Sequence, residues 1–141
     1  MYYLIYISTS IELMGQDDLA SLLAQSRKKN MEMNVTGMLM YSNGTFIQAL
    51  EGDKKDVDLV YTAIQKDTRH KNLIEIVSGE EENRTFPNWS MAFLTPDPAK
   101  MAELDGYINP LHTELFKGDK ENTMLNVLRT FADNNNLTHP E

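Results

Sequence analysis

The sequence contains no cysteine. That excludes disulfides, cysteine nucleophiles, thiolate metal sites and any cofactor chemistry that runs through a thiol adduct. Positive charge is scarce: 13 Lys and Arg stand against 21 Asp and Glu, for a formal net charge of −8. A nucleic-acid footprint is not expected from that balance. Arg27, Lys28 and Lys29 form a short local cluster, not a basic stripe. No apolar run approaches the ~20 residues of a membrane-spanning helix. The opening "MYYLIYIST" is too short and too uncharged for a signal peptide and reads as a strand. These absences point to a cytoplasmic protein with neither a membrane nor a nucleic acid as partner. Histidine is rare as well: His70, His112 and His139 are scattered and make no metal-ligand spacing. No G-x-G-x-x-G turn is present, so a nicotinamide-type dinucleotide site has no sequence support.

What remains is a chain of 141 residues, 41% apolar, enough for one domain with a sizeable core. Residues 2–9 alternate as a strand. Asp17 and Asp18 precede Leu19, Leu22, Leu23 and Ser26, an amphipathic helix with acid at its start and "RKK" at its end. "VTGMLMYS" and "TFIQALEG" are strands joined by Asn43-Gly44, a strong hairpin signal. Asp53 opens a second helix with Val57, Val60, Tyr61 and Ile64 on one face. "NLIEIVSGE" and "WSMAFLTP" are two further strands. The expected class is α+β, in the ferredoxin-like order β-α-β-β-α-β-β.

Alternation puts Phe46 and Leu50 on one face of the third strand and Ile47 and Ala49 on the other. A sheet apolar on both faces must be covered on both. Right-handed crossovers place the two helices on the same face, so the chain after Pro96 and Pro98 is expected to cover the second. Short helical patterns near 99–107 and 121–133 supply that cap. The expected division is residues 1–96 as the main unit and 97–141 as a helical extension packed on it.

Several polar residues do not suit a plain core. Tyr6 and Gln48 sit inside the first and third strands, which are adjacent in this order. Ser26 and Asp67 extend the buried stripes of the two helices, and Asn30 is read as following directly after the first. Most have an ordinary explanation: a strand tyrosine is usually a core tyrosine, Asn30 suits a left-handed helix stop, Arg69 and His70 complement a helix C-terminus, and Trp89 and Met91 are packing residues. Gln48 is harder to dismiss, because a buried amide without partners costs about 1–3 kcal/mol.

Four motifs carry a resemblance. "LIYIS", "NVTGMLMYSNGTFIQALEG", "IQKDTRH" and "WSMAF" resemble, in order and spacing, the signatures of the BLUF family, blue-light sensors using FAD. The likeness covers about residues 2–95, and the T-G-x-L strand followed by F-x-Q-x-L-E-G is its most specific part. It implies a flavin held between the two helices: FAD as the cofactor, with FMN or riboflavin able to bind in vitro. It implies Tyr6 as electron donor to the excited flavin and Gln48 as the bridge from that tyrosine to flavin N5 and the C4 carbonyl. Asn30 corresponds to the residue at the C4 carbonyl and N3 edge, Arg69 to the one near the C2 carbonyl, and His70 to the ring packed beside the flavin. Ser26 and Asp67 match polar pocket positions, Leu22 and Ile64 apolar walls, and Trp89 and Met91 the strand-five residues that exchange places near the glutamine. Lys29 departs from the family pattern, in which a second Asn or a His often precedes the asparagine. The resemblance further implies a photoreceptor and not an enzyme. Its signal, on a chain of this length, is expected to pass to a separate downstream protein, and the capped sheet is expected to leave apolar surface for homo-oligomerisation. A flavin redox enzyme, a cofactor-free ferredoxin-like module and a ferredoxin-like phosphohydrolase are the competing readings. The last lacks a Gly-rich anion loop near the first strand.

Overall fold

A computed structural model describes residues 1–111 and 122–137. The elements are β1 (Tyr2–Ser10), α1 (Gln16–Glu32), β2 (Thr36–Ser42), β3 (Thr45–Gly52), α2 (Lys54–Gln65), β4 (His70–Glu80), β5 (Trp89–Ala92), α3 (Pro98–Met101), β6 (Tyr107–Ile108) and α4 (Thr123–Asn134). The strands make one sheet in the order β4-β1-β3-β2-β5-β6. The first four are antiparallel neighbours, while β5 runs parallel to β2 and β6 parallel to β5. This is the expected ferredoxin-like arrangement with β5 added at the β2 edge, and β6 beyond it.

Local chemistry accounts for the turns. Asn43 and Gly44 both adopt positive φ (45° and 87°), as a tight two-residue hairpin demands. Gly37 is obligatory for a different reason: a Cβ there would lie 1.8 Å from the Ala49 carbonyl oxygen, so only glycine lets β2 approach β3. Gly15 caps the start of α1, its N–H donating to the Asp18 carboxylate at 3.3 Å. It runs past the basic cluster to Glu32, so Asn30 lies within its last turn and not after it. The left-handed stop is supplied by Asn34 (φ 55°). Asp67 lies two residues beyond the end of α2, and α4 stops before Asn136 (φ 58°).

Both faces of the sheet are covered. On one, α1 packs Leu19 and Leu23 against Leu39, Phe46, Trp89, Met91 and Phe93, while α2 packs Val57 and Val60 against Leu4, Tyr6 and Leu50. On the other, Met124, Leu125, Leu128, Phe131 and Ala132 of α4 cover Ile5, Met38, Met40, Ile47, Ala49 and Ala92. Each large side chain buried this way is worth about 1.5–3 kcal/mol, which is what holds a 12-residue helix to the sheet. The segment near 99–107 departs from the expected helical cap. It forms only the four-residue α3 and leads into β6, and Met101 joins the cluster on the α1 side. Asp97 caps the start of α3 by accepting from the Lys100 N–H (3.1 Å), with Pro98 in its first turn, and Gly106 at φ 96° turns the chain into β6. At the sheet edge, Ile74 of β4 remains 61% exposed.

Candidate functional site

The register places Tyr6 directly opposite Gln48 on the two central strands. Period-two alternation turns both toward the helices, with Leu4, Phe46 and Leu50. Both are 3% exposed. The Tyr6 hydroxyl donates to Gln48 Oε1 at 2.5 Å. Burial, with smaller contributions from Tyr61 and the Asp67 carboxylate, pushes the Tyr6 hydroxyl well above the usual phenol range, so it stays protonated as a donor. The Gln48 oxygen is therefore committed to Tyr6, and its NH2 has no protein acceptor among the described residues.

This pair forms the floor of a cleft of about 200 Å³ between α1 and α2. The cleft is lined by Tyr6, Leu22, Ser26, Asn30, Gln48, Ile64, Asp67, Arg69 and His70, so every residue the resemblance assigns to the cofactor is brought to one place. Leu22 and Ile64 supply apolar walls from opposite helices. Asn30 is buried, and its side-chain amide has no hydrogen-bond partner among the described residues. At the mouth Arg69 grips Asp67 with two nitrogens: Nη2 to Oδ2 at 2.6 Å and Nε to Oδ1 at 3.0 Å. Its Nη1 reaches Gln25 Oε1 at 3.2 Å, which ties α1 to the loop after α2. These bonds hold the Asp67 carboxyl below the usual carboxylate range. Arg69 is exposed, not buried.

His70 is fixed from both sides. One ring nitrogen, Nε2, lies 2.7 Å from the Ile64 carbonyl, and the other, Nδ1, 2.8 Å from Ser8 Oγ. A carbonyl can only accept, so Nε2 carries hydrogen, and in the neutral ring Nδ1 accepts from the serine. Ser8 thus connects His70 to the strand that bears Tyr6.

Sequence reasoning missed Ser8, and also Gln25, Leu39, Phe46, Val60 and Ala63, which line the cleft. The helical spacing 22, 25, 26, 29, 30 carried the signal for Gln25 and for Lys29 as a lining residue. Trp89 and Met91 do not line the cleft. In register, Gln48 pairs with Leu39 and Leu39 with Met91, so Leu39 stands between the glutamine and strand β5. Trp89 is 1% exposed and its indole N–H has no partner among the described residues. Those residues contain no group of three or more His, Asp or Glu that could hold a metal, and no helix among them is long and apolar enough to cross a membrane. His112 and His139 lie outside them.

Two apolar walls ending at buried amides with unused hydrogen-bonding capacity suit a flat heterocycle with polar edges. The donor set fits an isoalloxazine: the Gln48 and Asn30 amides can serve its acceptors and its N–H, and no thiol is required. The fold and cleft thus define a ferredoxin-like sheet carrying a cleft suited to a flat small molecule.

The comparisons specify the class further. The family model described as "BLUF: Sensors of blue-light using FAD" matches residues 1–92, and the chain belongs to that family. Photoactivated adenylate cyclase subunit beta of Euglena longa is 30% identical over 95 residues, covering 67% of this chain and 11% of the cyclase. The blue light- and temperature-regulated antirepressor BluF of Escherichia coli (strain K12) is 27% identical over 114 residues, covering 79% of this chain and 28% of the antirepressor. The chain therefore spans only a small part of the curated relatives it matches. The solved structure of BlsA in its photo-activated state superposes with a TM-score of 0.62 at 25% identity, covering 99% of this chain and 96% of that one. The matched region is a sensor module and not a catalytic one.

Proposed function

We propose that this chain is a blue-light receptor that binds FAD non-covalently in the α1–α2 cleft and switches through Tyr6 and Gln48. The observation that carries the reading is the buried Tyr6–Gln48 hydrogen bond, with the remaining Gln48 amide hydrogens free at the floor of the cleft. The flavin supplies absorption of blue light and an excited state that accepts an electron. The chain does the rest. Tyr6 would be the electron donor, its hydroxyl proton held at the one acceptor already in place, Gln48 Oε1, and both electron and proton would return to it on recombination. Gln48 answers by rotation or tautomerisation of its amide, exchanging its donor and acceptor ends without backbone movement. Asn30 would hold a polar edge of the ring, Leu22 and Ile64 would wall it from the two helices, and His70 would stand beside it. Arg69 and Asp67 close the mouth, and Ser26 contributes a hydroxyl from α1. Bonds in such a buried network are felt by one another.

The output is proposed to run along the sheet. Gln48, Leu39 and Met91 lie side by side on three successive strands, so a changed Gln48 presses on β5, and Trp89 and Met91 shift their packing. That changes the preference among conformations of β5 and the extension from residue 97 onward. The effector is proposed to be a separate protein, as the antirepressor role of the Escherichia coli relative suggests, with the chain acting as a homo-oligomer in the cytoplasm.

The competing cofactor-free module also explains the Tyr6–Gln48 bond, since the two residues partly satisfy each other. It leaves the Asn30 amide and the Gln48 NH2 idle. The test is the absorption spectrum of the purified protein before and after blue light. Yellow protein with a small, reversible red shift supports the receptor. Yellow protein bleached by NADH identifies a redox enzyme, and protein left colourless by added flavin identifies a cofactor-free module. Gln48→Leu should stay yellow and lose the shift, whereas Tyr2→Phe and Gln65→Leu, outside the cleft, should keep it. A Gln48→Leu protein that cycles like the parent defeats the mechanism.

A further inference from the structure

Three residues beyond Gln48, on the opposite face of β3, lies a second buried polar group that the light chemistry does not use. Glu51 is 0% exposed and continues the face of Ile47 and Ala49 that lies toward α4. Its carboxylate accepts from the backbone N–H of Thr85 at 3.0 Å and of Phe86 at 3.2 Å. The carboxyl of Glu81, just past β4, is held at the same Thr85, close enough to that of Glu51 for the two charges to act on each other. Glu81 Oε2 accepts from the Thr85 hydroxyl at 3.2 Å, while Oε1 is buried with no donor among the described residues. Two carboxyl groups bond each other only if one carries a proton.

The charged groups that face the pair, among the described residues, are Arg84 and the Met1 α-amino group. The Arg84 guanidinium is engaged elsewhere, by the carbonyls of Glu51 (2.9 Å) and Asn34 (2.8 Å) and by the Thr36 hydroxyl (2.6 Å). It forms no ion pair with either carboxylate. Burial, reinforced by Glu81, pushes the Glu51 carboxyl up to about 8 against the pull of the Phe86 and Thr85 N–H groups and Arg84. Burial raises Glu81 too.

The pair is wired to the C-terminal helix. The Thr85 hydroxyl gives its hydrogen to Glu81 and accepts from Asn122 Nδ2 at 3.1 Å. Asn122 is the N-cap of α4, its Oδ1 accepting from the Leu125 N–H at 3.0 Å. Phe86, held by Glu51, packs in one cluster with Met124, Leu125 and Leu128.

We propose that Glu51 and Glu81 hold one proton between them, and that losing it releases the N-terminal turn of α4, so that attachment of this helix to the sheet depends on pH. Deprotonation leaves two adjacent negative charges, one fully buried at Glu51 and one half-buried at Glu81. They separate by opening the 81–86 segment, which carries away both the Thr85 partner of the N-cap and Phe86. The folded pair holds its proton above the ordinary carboxylate range. The stabilisation is therefore complete below that range and is lost as pH rises through about 8. The device does not depend on flavin.

Hydrogen exchange of the full chain, kept in the dark, tests this between about pH 5 and pH 9, the window of one-proton linkage. After correction for intrinsic exchange, the opening constants of the Thr85, Phe86 and Leu125 amides should rise at least about tenfold, toward the limit of tenfold per pH unit for one proton. The amides that pair β1 with β3 should not follow. Glu81→Gln, whose amide can donate to an ionised Glu51, should abolish the rise. The infrared spectrum at neutral pH should show a protonated-carboxyl band that Glu81→Gln lacks. A flat profile in the parent, a rise that survives Glu81→Gln, or a parent spectrum without that band each overturns the proposal. The two measurements on the parent protein decide the matter even if the variant fails to fold.

Discussion

Removing the Tyr6 hydroxyl and the Gln48 amide, singly and together, measures how tightly the centre of the cleft is coupled. Tyr6→Phe keeps the ring and its packing but strips Gln48 Oε1 of its only protein donor among the described residues. Gln48→Leu does the converse and strands the Tyr6 hydroxyl. At sites 3% exposed, each orphaned group costs about 1–3 kcal/mol. Some relief comes from the cleft, through which water can reach it. Each single variant is therefore expected to lose about 1–2 kcal/mol, or about 3–6 °C in Tm for a domain of this size. The double variant leaves neither group behind, and replacing both partners by apolar groups is close to neutral. It should lose no more than about 1 kcal/mol, so the coupling energy is at least about 1–3 kcal/mol. The assay is urea unfolding in the dark on flavin-free protein, so that ligand binding does not add to the apparent stability. Losses that add to within about 0.3–0.5 kcal/mol would refute the reasoning, because they would show that the two groups do not satisfy each other.

Asn30→Ala should weaken flavin retention by about 1–3 kcal/mol, about 5- to 150-fold in Kd, measured by fluorescence titration of flavin-free protein; unchanged affinity would remove Asn30 from the binding set. Arg69→Ala should cost less in the same titration, within about 1 kcal/mol, because its side chain is exposed and its bonds to Asp67 are screened by solvent. Leu128→Ala, at a fully buried position of α4, should destabilise by about 2–5 kcal/mol in urea unfolding; a loss below about 1 kcal/mol would mean that α4 is not a genuine cover for the second sheet face.

Much of this architecture is local chemistry and could be read from the chain. Period-two alternation assigned Tyr6, Gln48, Ile47 and Ala49 to their faces, because side chains on a strand alternate whatever the strand pairs with. Asn43-Gly44 specified the hairpin by its backbone preference, and the lack of cysteine excluded thiol chemistry outright. The cleft residues were legible because the family motifs lie on strands and helix ends whose order along the chain dictates their meeting. Where helix α1 ends was not legible. Its last turn contains Asn30 because Asn34 takes the left-handed stop, and either asparagine suits that role on sequence grounds.

Other features exist only in three dimensions. Short helical patterns suggested a helical cap near 99–107, but whether that segment joins the α4 side or the α1 side is decided by β6 pairing with β5, which alternation in a two-residue strand cannot announce. Leu39 stands between Gln48 and Met91 because of strand order and register, not spacing. Glu51 was legible only as a residue of the strand "TFIQALEG". Its burial depends on Glu81, Thr85 and Phe86, which come from the far side of α2 and β4 to enclose it. The sequence by itself determined the faces, the turns and the chemistry available. The tertiary structure alone decided which charges are taken out of water, because desolvation depends on every segment that packs around a group and not on the segment that carries it.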